Sequence, residues 1–235
     1  VTGPADENLA SPHPDLVGFE PAGRQQHVAG REAAVVLVER DAAREHALPG
    51  SRHEGLGGKR VAIYCSQEVH YSVTRAVETL GVGSRNLRAI PLGPDRGLVP
   101  EALAEAIDRD LADDVTPIAV VATAGTTLTG AIDPLEAIAD ICESHGVWFH
   151  VDGAYGMPAA LARPEYFRGF ERAASVSVDA HKWLYLPKAC GVVLVRDAGG
   201  NWCVLEDNLR VPSGIGYAMQ NRRLTTSVLP ELPVP

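Results

Sequence analysis

Cysteine, positive charge and long apolar runs are all in short supply in this chain, and each shortage removes a class of protein. The four cysteines, Cys65, Cys142, Cys190 and Cys203, are far apart and form no C-x-x-C pair, so neither a zinc site nor a disulfide framework is expected. They read as small buried apolar residues. Lys and Arg number 21 against 30 Asp and Glu, which gives a formal charge of -9 and a pI near 5.3. Phosphate binding draws on positive surface, so nucleic acid and anionic membranes are poor partners for such a chain. No stretch approaches the roughly 18 apolar residues of a membrane span. The N-terminal residues also lack the basic-then-apolar pattern of a secretion signal. The expectation is a cytoplasmic protein that acts on a small molecule.

What is present suits one substantial core: 46% of the 235 residues are hydrophobic. There is no internal repeat and no low-complexity tract. Residues 1–30, with Gly3-Pro4, Ser11-Pro12-His13-Pro14 and Pro21-Ala22-Gly23, lack periodicity and read as a loop-like arm. Ala33, Ala34, Leu37, Val38 and Ala42 predict a helix over 31–48, closed by Pro49-Gly50. From there strands and helices alternate. Strands are predicted at 61–65, 87–92, 118–123, 147–151, 174–178 and 191–195, and helices at 70–80, 101–111 and 134–145, with Pro100 at a first helical position. Alternation of this kind implies an α/β fold with a mixed, mostly parallel sheet. The strands are too continuously apolar to be one-faced, so helices should cover both faces.

In such a sheet, ligands meet the carboxyl ends of the strands. Thr126 and Thr127 follow the strand at 118–123, Asp152 the strand at 147–151, and His181-Lys182 the strand at 174–178. An apolar run ending in Asp, followed by another ending in His-Lys, supplies what pyridoxal 5'-phosphate (PLP) requires. The carboxylate pairs with the pyridine nitrogen, and the lysine forms a Schiff base.

Four segments carry a resemblance over about residues 59–197. They are Tyr64-Cys65-Ser66-Gln67-Glu68-Val69-His70-Tyr71-Ser72, then Thr123 to Pro134 (TAGTTLTGAIDP), His150-Val151-Asp152-Gly153-Ala154-Tyr155-Gly156, and Asp179-Ala180-His181-Lys182-Trp183-Leu184. In this order they resemble the group II PLP-dependent amino-acid decarboxylases, which include the aromatic-L-amino-acid, tyrosine, histidine and glutamate enzymes. The resemblance implies the large domain of fold type I PLP-dependent transferases across 31–197. It implies Lys182 as the Schiff-base lysine, Asp152 as partner of the pyridine nitrogen and His70 as the ring that stacks on the cofactor. By itself, a histidine ahead of a helix would read as a cap or a surface residue. Ala154 is implied on the opposite ring face, and Thr126 near the phenolic oxygen or the substrate carboxylate. His181 is implied beside the phosphate and the lysine, with Asp179 or Ser177 near the phosphate. The implied activity is decarboxylation of an L-amino acid, an aromatic one by the motif spellings, in a homodimer.

Two stretches depart from the family pattern. Where a Ser-Gly-Gly-rich phosphate cup is expected, the chain reads Gln25 to Ala33 (QQHVAGREA), in which Arg31 reads more readily as a solvent-exposed residue than as a substitute charge for the phosphate. Residues 198–235 are short and proline-rich for the family's small domain, and Tyr217 is a weak candidate for a catalytic-loop tyrosine. A shortened, silent homologue acting in assembly therefore stands beside the decarboxylase reading, as does another PLP lyase or an aminotransferase.

Overall fold

The computed structural model describes residues 42–185, 190–197 and 199–207. The expected arm, most of the helix at 31–48, Arg31, and Tyr217 lie outside these residues. Residues 42–47 are helical, and the one-turn helix Ser51–Glu54 follows. Strand β1 (Val61–Ser66) then leads through helix α1 (Tyr71–Thr79) to β2 (Leu87–Ile90). Helix α2 (Pro100–Ala112), β3 (Thr116–Thr123), α3 (Leu135–His145), β4 (Trp148–Asp152), β5 (Ser175–Asp179), β6 (Gly191–Arg196) and β7 (Trp202–Asp207) complete the order.

The strands form one sheet in the order β2-β1-β3-β4-β5-β6-β7. Pairings from β2 to β5 are parallel, and β6 and β7 join antiparallel. Every residue of β1 is buried, and alternate side chains enter different cores. Val61, Ile63 and Cys65 pack with Val73 and Val77 of α1, while Ala62 and Tyr64 pack with Leu103 and Ile107 of α2 and Ile138 of α3. Strand periodicity of two thus feeds one apolar layer on each face, and each layer is covered by helix.

Helix ends follow local chemistry. Pro100 opens α2, and Gly146, at φ 65°, closes α3 in the left-handed conformation. Strand β2 stops at Ile90 rather than Leu92, because Pro91 cannot donate to the ladder, and Leu92 makes an isolated bridge with Leu98. Strand β7 lies where the sequence predicted no strand. Asp197 Oδ1 accepts from Gly199 N at 2.9 Å and Asn201 N at 2.8 Å, an Asx-type turn that reverses β6 into β7.

The parallel strands β1, β3, β4 and β5 end along one edge of the sheet. Ser66 stands at the end of β1, while Thr123 pairs in register with Asp152 and Asp152 with Ser177. Close backbone approach draws their loops together. Gly125 has φ 99°, and a Cβ there would lie 2.7 Å from Gly156 Cα; a Cβ on Gly156 would lie 2.3 Å from Ala124 O. Neither position accepts a side chain.

Candidate active site

A pocket opens at this edge, lined by residues from four elements. Glu68, His70 and Ser72 come from the β1–α1 segment, and Thr123, Gly125, Thr126 and Thr127 from the end of β3 and its loop. Asp152, Ala154 and Tyr155 follow β4, and Ser177, Asp179 and Lys182 belong to β5 and the turn after it. Eight residues singled out from sequence meet here: Lys182, Asp152, His70, Ala154, Thr126, Thr127, Asp179 and Ser177.

Asp152 is half-buried, and its Oδ1 accepts from Ala154 N at 3.2 Å and Ser177 Oγ at 3.4 Å. These bonds fix the carboxylate at the strand end and leave Oδ2 for a ligand. Lys182 Nζ lies 2.7 Å from Asp179 Oδ2, with the lysine side chain 26% exposed and the aspartate 8%. A turn holds the pair, as Lys182 N donates to Asp179 O at 3.1 Å.

His70 is both cap and lining residue. It is the N-cap of α1, and its Nδ1 accepts from Ser72 N at 3.4 Å with Ser72 Oγ at 2.8 Å. A backbone N–H only donates, so Nδ1 of the neutral ring carries the lone pair and Nε2 the proton. The capping bond therefore sets the tautomer.

Thr126 is buried, and its hydroxyl is engaged within the loop, 2.7 Å from Thr129 Oγ1 and accepting from Ala131 N at 3.2 Å. Its neighbour Thr127 is exposed and lines the same pocket. His181 stands apart from the lining, its Nδ1 3.1 Å from Cys190 O and 3.2 Å from Cys190 N. Sequence reasoning gave no role to Thr123, whose buried Oγ1 has no hydrogen-bond partner at the pocket wall. It also missed Glu68, which pairs with Arg96, and Tyr155, whose ring stands edge-on to Trp183 at 5.9 Å. Both partners come from other loops, so spacing along the chain carries no signal of them.

Asp133 acts behind the wall. Its carboxylate accepts from Leu98 N at 2.8 Å and Thr123 N at 2.7 Å, joining the loop after β2 to the end of β3. Burial pushes its pKa up to about 6 in spite of the two backbone donors.

An amine, a carboxylate with a free oxygen, a flat heterocycle and an unpaired hydroxyl around one opening make a donor set that fits a pyridine aldehyde. The family model that matches residues 33–208 is the pyridoxal-dependent decarboxylase conserved domain. The chain belongs to this pyridoxal-dependent decarboxylase family. Among curated family members, mouse cysteine sulfinic acid decarboxylase is 39% identical over 158 residues, which is 66% of this chain and 32% of that protein. Rice (Oryza sativa) tryptophan decarboxylase 1 is 37% identical over 176 residues, 72% of this chain and 34% of the enzyme. The chain thus spans about a third of the curated relatives it matches. Family structures agree with the fold. Mouse CSAD superposes with TM-score 0.69 at 35% identity, over 71% of this chain and 36% of that one. Rice TDC with PLP and tryptamine gives 0.67 at 36% identity, over 74% and 38%. The fold is that of these PLP decarboxylases, and the cofactor of the family is PLP.

Proposed function

We propose that the chain carries the cofactor-binding part of a PLP-dependent amino-acid decarboxylase, with Lys182 as the residue that holds the cofactor covalently. The observation that carries this reading is the meeting of Lys182, Asp152 and His70 in one pocket at the ends of neighbouring strands. The sequence contains three lysines, Lys59, Lys182 and Lys188. Of these, Lys182 lines the pocket.

Each residue has a task that its surroundings support. Asp152 would offer Oδ2 to a protonated ring nitrogen, while Ala154 N and Ser177 Oγ hold Oδ1. A carboxylate there keeps the proton on that nitrogen. His70 would stack on the ring and present Nε2–H to it, because Ser72 occupies Nδ1. Ala154 leaves room on the opposite face. Thr127 and the unpaired Thr123 hydroxyl supply hydrogen bonds to polar groups of the ring or substrate, while Thr126 shapes the loop. His181 supports the turn that presents Lys182, through Cys190. Bound PLP would supply the electron-withdrawing ring that accepts the bonding pair when carbon dioxide leaves.

The substrate is an L-amino acid. The edge-to-face pair Tyr155 and Trp183 beside the pocket supports an aromatic side chain. Exposed Leu128, Trp183, Leu184 and Tyr185, on the turns that follow β3 and β5, support a homodimer that covers this side. No helix among the described residues is long and apolar enough to cross a membrane. The test is the visible absorption of the lysine-bound cofactor. It should develop when the purified chain meets PLP and vanish in Lys182→Ala; an unchanged band in that variant would sink the assignment. A band without release of carbon dioxide from any amino acid would favour a silent homologue.

A further inference from the structure

We propose that Asp179 is a positioning residue that holds Lys182 as an ammonium before it meets an aldehyde and so makes that reaction depend on pH. The proposal rests on Lys182 being the cofactor lysine. Asp179 is the last residue of β5, its side chain is nearly buried, and its Oδ2 lies 2.7 Å from Nζ. The resemblance had implied a site near the cofactor phosphate. A buried carboxylate facing a phosphate would repel it, whereas here the carboxylate meets an ammonium.

The contact has a chemical consequence. An amine attacks a carbonyl carbon through its lone pair, so Lys182 must first lose a proton. The C–N bond then forms as the carbonyl oxygen leaves as water, and the balance is one ammonium plus one aldehyde giving one imine, one water and one proton. Asp179 Oδ2 lies 2.7 Å from Nζ without hydrogen-bond alignment, so a small rotation of either side chain lets it take that proton. Before reaction, the same carboxylate stabilises the ammonium and raises the pH at which the nitrogen becomes nucleophilic.

Among the described residues, the other titratable groups that line the pocket do not reverse this. Glu68 and His70 enter from the β1–α1 segment, and Asp152 and Tyr155 from the end of β4. The loop after β3 contributes Gly125, Thr126 and Thr127, which carry no charge. His181, next to Lys182, turns its Nδ1 to the Cys190 backbone. Glu68 and Asp152 act in the same direction as Asp179, and Glu68 is already paired with Arg96.

The experiment is trace labelling of the full chain with acetic anhydride from neutral to strongly alkaline pH. Lys182 and the exposed Lys59 are read separately by peptide mass spectrometry. In the unaltered chain the Lys182 midpoint should lie above that of Lys59 by about one pH unit or more, which is about tenfold slower labelling at neutral pH. Asp179→Asn should bring the midpoint down to that of Lys59 or below, and Asp179→Glu should keep it raised. Coincident Lys182 profiles in the unaltered chain and Asp179→Asn would overturn the proposal. If Asp179→Asn does not fold by circular dichroism, a Lys182 midpoint at or below that of Lys59 in the unaltered chain overturns it as well. The two readings fail separately: a shifted Lys182 profile without selective PLP attachment removes the cofactor role alone. Selective attachment without a shift removes the role of Asp179 alone.

Discussion

His70 does two things with one ring, and substitutions can separate them. Asn also caps helices, so His70→Asn should keep the thermal stability of α1, whereas His70→Ala should lose about 1 kcal/mol in a urea melt. Both should weaken PLP binding, because both remove the flat ring. Equal stability in the two variants would remove the cap from the account. Thr123 makes the converse case. Its hydroxyl is buried without a partner, so Thr123→Val should leave the empty chain as stable or more so while reducing PLP affinity in a titration. Unchanged affinity would confine Thr123 to packing. Asp133 carries a pH signature: its folded pKa of about 6 lies above the ordinary 3.8. Its favourable share of stability is therefore complete below the lower value and is lost as pH rises through about 6, on the order of 3 kcal/mol across the window. Urea melts at stepped pH should show that decline, and Asp133→Asn should flatten it. The amide also leaves one of two backbone donors unpaired, costing about 1–3 kcal/mol at every pH. A decline of the same size in Asp133→Asn would assign it to another group.

Elements meet at the pocket because two loops lack side chains where they touch. Gly156→Ala would drive a methyl to 2.3 Å from Ala124 O, so the β3 and β4 loops must part. Loss of stability by about 1–3 kcal/mol is expected, with weaker PLP retention on gel filtration, since Thr127 and Asp152 sit on the two loops. Retention equal to that of the unaltered chain would mean the loops move independently of the site. Much at this scale was legible in sequence. Apolar runs such as Val61 to Cys65 marked strands buried on both faces, and Pro100 marked a helix start through backbone geometry that the residue type alone dictates. Strand β7 was not legible, because its hairpin depends on Asp197 capturing two backbone donors across a turn. In the site, Lys182 and Asp152 were legible as candidates because each follows a strand, and His70 only through the resemblance of the motif around it. The inward turn of the Thr126 hydroxyl, the Glu68–Arg96 pair and the set of His181 toward Cys190 were not, since each is decided by a residue on another turn or loop.

Across the molecule, the sheet separates two apolar layers and leaves the chemistry at one edge. The edge strand β2 is held by Arg88, whose Nε and Nη2 donate to Asp110 of α2 at 2.9 and 3.0 Å, while Tyr64 Oη of β1 donates to the same carboxylate at 2.8 Å. Burial pushes the Asp110 carboxyl up, but the Arg88 and Tyr64 hydrogen bonds outweigh it and hold the group below its usual range. That share of stability is present above the unfolded pKa of 3.8 and is lost as pH falls below it, opposite in sign to Asp133. The account as a whole stands on one claim, that a pocket assembled from four elements makes Lys182 the lysine for PLP. The most direct measurement is to mix the chain with PLP, reduce with borohydride and map the modified lysine by mass spectrometry. One equivalent at Lys182, with Lys59 and Lys188 unlabelled, is the predicted result; label scattered over the three lysines, or none at Lys182, would contradict it.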